Sequence, residues 1–469
     1  MKSINPANGQ VNAEISAATA ADVDRAVQVA AAAQRRPAWR DMRPHDRARL
    51  LHAIANGIDA NAHPLAEKQM LENGKVIGEC RGQVASASAT FRYYAAVCET
   101  AESSVTPSRG DYLSMTIYEP MGVVAAITPW NSPLTMEAQK LAPAIAAGNA
   151  IVLKPSEVTS SPALDLGRIC LDAGLPPGIV NVLPGTGREA GMAMVRHPGV
   201  KMVSFTGGTD TGRAIASIAA EKLMPVALEL GGKSPHIVLA DADLKAAVAQ
   251  IIGGIFISSG QSCVAGSRLF VQRAVYHQVM SLLQEKSRDL KVDLPDAAGA
   301  QIGPMASFSH RDRVEEFIAK GRGEGGEIVL GGERPKAAHL QSGAFLMPTI
   351  IVGLDMRATV CREEIFGPVL CVLPFDDEDD LIAQANDTAY GLAAGIWTAD
   401  YNKAWRVARA IDAGTVWINT YKQLSISTPF GGFKNSGIGR EKGIGGMRLY
   451  QQGKSLYWNL ERQPMAAAQ

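Results

Sequence analysis

Between residues 122 and 230 short apolar runs alternate with amphipathic stretches of helical spacing, and this constrains the fold more than any other feature. Apolar runs at 123–128, 151–153, 179–183, 203–205 and 226–230 read as buried strands. Helices are predicted between them, at 133–147 closed by Gly148, and at 162–173 ended by Gly174 and the pair Pro176-Pro177. Strands separated by such helices build βαβ units and a parallel sheet covered on both faces. Parallel sheets of this kind bind nucleotides at the carboxyl ends of their strands.

A second α/β region follows Gly231-Gly232, with strands near 268–271, 328–330, 368–375, 393–398 and 415–419. The glycine pair is therefore the predicted boundary between two domains. It places Glu229 and Cys263 on opposite walls of a junction, where catalytic clefts commonly lie. The amino-terminal part reads helical. Thr19-Ala20-Ala21-Asp22 is a helix start, Val23, Val27 and Ala30 share a face, and Pro37 is a stop. Leu50, Leu51, Ile54 and Ile58 mark a second amphipathic helix. Two stretches fit neither domain. Tyr112, Ser114, Thr116 and Tyr118 alternate as in a hairpin over 104–118, and 454–459 reads as a lone strand. Residues 463–469 read as disordered.

A chain of 469 residues needs more than one core. Its 46 basic and 46 acidic residues cancel, so nucleic acid is not an expected partner. No apolar run approaches the roughly 20 residues that cross a bilayer. The nearest, 142–153, is interrupted by Pro143, Gly148 and Asn149. The start, Met1-Lys2-Ser3, lacks a signal core and an acylation glycine. The six cysteines are scattered with no C-x-x-C, which argues against a disulfide framework or a zinc site. A reducing cytoplasm is the expected compartment.

Three residues carry the chemistry. Cys263 follows the small, polar run Ser258-Ser259-Gly260-Gln261-Ser262, which is unlike a packed strand. A lone buried cysteine is usually filler; as a nucleophile it needs an environment that favours the thiolate. Glu229 ends the apolar run Pro225-Val226-Ala227-Leu228. There it is either salt-bridged, with Lys233 as the partner, or a general base whose pKa is raised by apolar surroundings. Asn131, in Pro129-Trp130-Asn131-Ser132-Pro133, either supports a turn or offers its amide to an oxyanion beside the Cys263 N–H. A cofactor-free cysteine hydrolase would need a histidine base, and none of the eight histidines stands in a motif near Cys263. Gly185-Thr186-Gly187 is either a plain strand–helix turn or a nucleotide loop, and Phe205-Thr206-Gly207-Gly208-Thr209-Asp210-Thr211-Gly212 is the better candidate, a strand–glycine–helix junction that points backbone amides at a pyrophosphate.

These motifs, with Lys154-Pro155-Ser156-Glu157, Glu363-Glu364-Ile365-Phe366-Gly367-Pro368, Phe430-Gly431-Gly432 and Gly439-Arg440-Glu441, stand in an order that resembles the NAD(P)-dependent aldehyde dehydrogenase superfamily over nearly the whole chain. The resemblance implies an α/β fold of two parallel-sheet domains, a Rossmann-like cofactor domain (1–103 and 121–230) and a catalytic domain (231–435). A small bridging sheet (104–120 and 448–462) would join subunits of a homodimer or homotetramer. Cys263 is then the nucleophile, Glu229 the base that activates water, Asn131 the oxyanion amide and Glu441 a proton relay. Retention of Glu229 favours hydrolysis over acyl transfer to coenzyme A; a non-catalytic protein on the same fold is the other alternative.

By the same resemblance, Lys154 and Glu157 hold the adenosine ribose, Glu364 the nicotinamide ribose, and Phe366 packs near the nicotinamide. His310 would lie beside a cofactor ribose. Thr128, Pro129, Trp130, Ser156, Gly187, Phe205, Thr206, Gly207, Gly208, Thr211, Leu230 and Gly231 complete the cofactor set. Glu157 accepts from a free 2′-hydroxyl and repels a 2′-phosphate, which favours NAD, although Lys154 and Ser156 leave NADP open. The aldehyde pocket is expected from Ser132, Met136, Gln139, Ser262, Val264, Leu424 and Phe430, with Lys422 at its mouth to steer a polar or carboxylate-bearing aldehyde. A solvated lysine on a loop is the plain alternative. No metal is expected.

Overall fold

The structure, a computed structural model, describes residues 1–460. The expected disorder at 463–469, and the last two residues of the expected bridging segment, lie outside the described residues.

A six-stranded sheet carries the first half. Its order is Gly437–Ile438, Val226–Glu229, Met202–Thr206, Val123–Ile127, Ala150–Lys154, Val180–Val182. All five strands expected from the sequence are present and run parallel. Two of them are covered on both faces: every residue of Val123–Ile127 and of Ala150–Lys154 is buried, the lysine included. The sixth strand, Gly437–Ile438, was not anticipated. It comes from the far end of the chain and pairs antiparallel, Gly437 opposite Glu229 and Ile438 opposite Leu228.

The second sheet has seven strands, in the order Glu327–Leu330, Thr349–Val352, Val369–Phe375, Arg268–Gln272, Pro235–Val238, Ala393–Trp397, Thr415–Ile418. It is parallel except at one edge, where Glu327–Leu330 runs antiparallel to Thr349–Val352. Two of these strands were not anticipated: Pro235–Val238, which begins with proline and carries His236, and Thr349–Val352.

Helices cover the first sheet. Thr19 closes a capping box with Asp22 and starts the helix Ala20–Arg35. Val23, Val27 and Ala30 face inward, as do Leu51, Ile54 and Ile58 of Pro44–Ala60. The alternating segment 104–118 forms the strands Ser104–Thr106 and Tyr112–Pro120. Residues Gln451–Asn459 add a third strand along the whole length of the second, from Gln451 opposite Pro120 to Asn459 opposite Tyr112. Among the described residues no helix is long and apolar enough to cross a membrane.

Candidate active site

Cys263 lies at the end of a strained approach. Ser258, Ser259 and Gly260 adopt φ of 62°, 54° and 69°, the left-handed region that non-glycine residues rarely occupy. Side chains hold them there. The Ser258 hydroxyl bonds the Glu79 carboxylate, and Ser259 donates to the Gly303 carbonyl at 2.7 Å. At Gly260 a Cβ would stand 2.1 Å from the Gly367 oxygen, so a side chain does not fit. Gln261 takes the Ala306 N–H on its side-chain oxygen at 2.8 Å.

The glycine pair brings the opposite wall close. A Cβ on Gly232 would stand 2.4 Å from the Cys263 carbonyl oxygen, and its N–H donates to Glu364 at 2.9 Å. Asn131, just before the helix Pro133–Ala146, donates its side-chain amide to the Gln261 carbonyl at 3.0 Å. Its second amide hydrogen is not used by that bond.

One cavity of about 1000 Å³ is lined by Cys263, Glu229, Asn131 and Glu441 together. Within it stand Pro129, Trp130, Thr206, Gly207, Gly208, Thr211, Leu230, Gly231, Glu364 and Phe366 of the expected cofactor set. Ser132, Met136, Gln139, Ser262, Val264, Leu424 and Phe430 of the expected substrate set line it as well. His310 faces the same space, where its Nε2 pairs with the Phe366 carbonyl at 2.9 Å and its ring meets Trp130 edge-on at 5.1 Å. That engages the imidazole elsewhere than at Cys263.

Thr128, Lys154, Ser156, Glu157, Gly187 and Phe205 are not part of this cavity's wall. Lys154 is buried and donates to the carbonyls of Pro155 and Gly185, at 2.7 and 2.9 Å, with Glu157 3.6 Å away. Its amine is thus satisfied by the turn it sits beneath.

Lys422 corrects the expectation of a steering charge at the mouth. It does not line the cavity; with φ at 55°, its amine turns to the Gly253 carbonyl at 3.4 Å. Burial, with Lys75 adding to it, lowers its pKa to about 8. Lys233 is not the partner of Glu229 either. It is buried, and its amine finds no hydrogen-bond partner among the described residues.

Electrostatics divide the three central groups. Glu229 is 5% exposed, and one of its oxygens has no hydrogen-bond partner among the described residues. Burial and then the Glu441 charge raise its pKa well above the usual carboxylate range, while Lys140, Arg440 and Lys442 oppose the rise. Cys263 departs from the expected thiolate-favouring setting. Burial, then the carboxylates of Glu364 and Glu229, push the thiol up to about 12, against the pull of Lys422 and the Val264 amide. Glu364 itself is lifted to about 7 by burial.

Two lysines escaped the sequence reading. Lys140, fully buried on the helix Pro133–Ala146, donates to Glu441 at 2.8 Å and to Ser204 at 3.0 Å. Its spacing from Met136 placed it one turn along the same helix, the only signal available. Lys442 follows Glu441 with φ at 63°, lines the cavity, and lies 5.1 Å from the Phe430 ring centre. Being next to a recognised motif residue was its only mark.

Comparison with known proteins supports one family. The chain matches the Aldehyde dehydrogenase family over residues 1–456. It is 40% identical over 458 residues to DhaS of Bacillus subtilis (strain 168), a relative with an aldehyde dehydrogenase assignment, covering 97% of this chain and 92% of that one. Among solved structures, betaine aldehyde dehydrogenase of Staphylococcus aureus in complex with NAD+ superposes with a TM-score of 0.97 at 36% identity, over 100% of this chain and 93% of that one. An aldehyde dehydrogenase of Bacillus cereus in its NAD+ complex gives 0.96 at 40% identity, over 98% and 93%. On the match across nearly its full length, this chain belongs to the aldehyde dehydrogenase family.

Proposed function

We propose that the protein oxidises an aldehyde to the carboxylic acid through a covalent adduct on Cys263, with NAD as cofactor and NADP as the second candidate. The observation that carries this reading is the convergence of Cys263, Glu229 and Asn131 on one cavity that also holds Glu364 and the start of the helix Thr209–Glu221. Related enzymes crystallised with NAD+ support the cofactor.

The residues present fit a dinucleotide. The helix Thr209–Glu221 begins at Gly208 with no side chain capping its first amides, so those donors are free for a pyrophosphate. The Thr206 hydroxyl is buried without a partner among the described residues. A Cβ on Gly231 would stand 2.3 Å from a Glu364 oxygen, so the backbone there is bare where Glu364 enters. Gly207, Gly208 and Thr211 would hold the pyrophosphate, Glu364 the nicotinamide ribose, and Lys154, Ser156 and Glu157 the adenosine ribose. When bound, the cofactor accepts the hydride of the aldehyde carbon.

Cys263 forms the bond to the aldehyde carbon after losing its proton. The resulting oxyanion meets the Asn131 amide and the Cys263 N–H. After oxidation the carbon remains on Cys263 as a thioester. Glu229 takes a proton from water, the water attacks the thioester, and the acid leaves with the thiol restored. A pKa raised by burial suits Glu229 to that work. Glu441, held by Lys140, stands next in line for the proton.

Residues 1–103 and 121–230 form the cofactor domain in this reading, and 231–435 the catalytic domain. The sheet of 104–120 and 451–459 leaves Val105, Leu456, Tyr457 and Trp458 exposed. Such a surface suits joining subunits in a dimer or tetramer. Ser132 and Gln139 in the cavity wall favour a polar aldehyde. The experiment is a panel of aldehydes assayed with NAD and with NADP by absorbance of the reduced cofactor. Failure of every aldehyde with both cofactors would overturn the reading, and turnover that requires coenzyme A would replace hydrolysis with acyl transfer.

A further inference from the structure

Lys442 carries a charge whose role the reaction above leaves open. It is 7% exposed, yet among the described residues its ammonium makes no hydrogen bond or ion pair. It lies 5.1 Å from the centre of the Phe430 ring, a cation–π arrangement. A buried ammonium without an anion is costly, and one aromatic face offsets only part of that cost.

The neighbouring carboxylates do not supply the anion. Glu441 is already paired with Lys140 at 2.8 Å, and Glu229 makes no hydrogen bond or ion pair with Lys442 among the described residues. Lys442 is within electrostatic range of both Glu229 and Cys263. The cation therefore sits in the wall of the cavity where the covalent adduct would form, a wall that also carries Ser132, Gln139 and Ser262.

We infer that Lys442 is a specificity-determining residue that pairs with a carboxylate carried by the aldehyde itself, so that the substrate class is short aldehydes with a carboxylate at the other end. The inference rests on the proposed aldehyde oxidation. It moves the charge recognition expected of Lys422, which is turned away from the cavity, to Lys442. A single ammonium matches a monoanionic carboxylate in charge. Lys442, Phe430 and Cys263 line the same cavity.

The test compares kcat/KM for succinic semialdehyde and for butanal, with NAD, in the unaltered enzyme, in Lys442→Met and in Lys442→Arg. The ratio of the two values should fall about 30-fold or more in Lys442→Met, through KM for the charged aldehyde, and be largely kept in Lys442→Arg. An unchanged ratio in Lys442→Met overturns the inference while leaving aldehyde oxidation standing. Absence of turnover with either aldehyde in the unaltered enzyme, after the full panel has failed, overturns both. Should Lys442→Met fail to fold, competition in the unaltered enzyme decides. 4-Hydroxybutyrate should inhibit butanal oxidation at least about tenfold better than 1-butanol, and equal inhibition overturns the inference.

Discussion

The amine of Lys140 stands 2.8 Å from an oxygen of Glu441, and both side chains are almost wholly shielded from solvent. The pair joins residues 301 positions apart, tying the helix Pro133–Ala146 to the segment that follows Gly439. Ser204 takes a second bond from Lys140 at 3.0 Å and one from the Tyr450 hydroxyl at 3.0 Å. Removing one member of a buried pair strands the other charge, which typically costs about 3–5 kcal/mol. Lys140→Met should lower the thermal midpoint, and Lys140→Met with Glu441→Gln should recover part of the loss. Additive losses in that double-mutant cycle would show that the two side chains are not coupled.

In the proposed reaction Cys263 and Glu229 act in separate halves. Cys263→Ala should abolish oxidation while cofactor binding, followed by fluorescence titration, persists. Glu229→Gln should release one rapid burst of reduced cofactor and then turn over slowly, because the thioester forms but water is not activated. A Glu229→Gln enzyme with unaltered steady-state rate would remove Glu229 from the reaction.

The Asn131 amide reaches the Gln261 carbonyl, two residues before Cys263, at 3.0 Å. It is thereby tied to the segment that carries Cys263. Asn131→Ala should lower kcat roughly 100- to 1000-fold, as expected for loss of one oxyanion donor. A larger effect on KM than on kcat would point to a positioning role alone.

The Cys263 thiol, lifted to about 12 by burial and two carboxylates, is pulled back by Lys422 and the Val264 amide. Lys422 thus acts on the Cys263 thiol from outside the cavity wall. Removing its charge should raise the thiol pKa further. Less thiolate is then present at neutral pH, because the thiolate fraction falls in proportion to the acid dissociation constant of the thiol. Lys422→Met should therefore slow iodoacetamide alkylation of Cys263 by roughly three- to tenfold at pH near 7. Alkylation at the original rate would mean that Lys422 does not act on the sulfur.

The strands of the first sheet were readable because burial on both faces leaves an unbroken apolar run, as in Val123–Ile127. The same rule fails for Pro235–Val238, where His236 packs face to face with Tyr421 at 4.3 Å and so is buried as if apolar. Glu229 ends the strand Val226–Glu229, while Asn131 and Cys263 lie in the loops that lead to the helix Pro133–Ala146 and the strand Arg268–Gln272, and all three line one cavity. Lys140 and Lys442 were not readable, since their neighbours are made by the fold: a carboxylate 301 residues away for one, a ring across a bend for the other. Lys422 was misplaced for a related reason. Its left-handed backbone turns the side chain inward, and nothing in the local sequence announces that turn.

Glu137 gives the stability of the protein a pH dependence of its own. It lies on the helix Pro133–Ala146, wholly buried, with neither oxygen hydrogen-bonded among the described residues. Burial, and then the charge of Glu72, raise its pKa to about 8. In the unfolded chain the value is about 4.3. The folded state therefore holds a proton that the unfolded state releases. The stabilisation is fully present below about pH 4.3 and is lost as pH rises through about 8, at up to roughly 1.4 kcal/mol per pH unit. Glu137→Gln keeps the shape and removes the titration. Its thermal midpoint should gain on that of the unaltered protein with each step from about pH 5.5 to 7.5; midpoints that stay parallel across this range would show that Glu137 does not titrate between the two states.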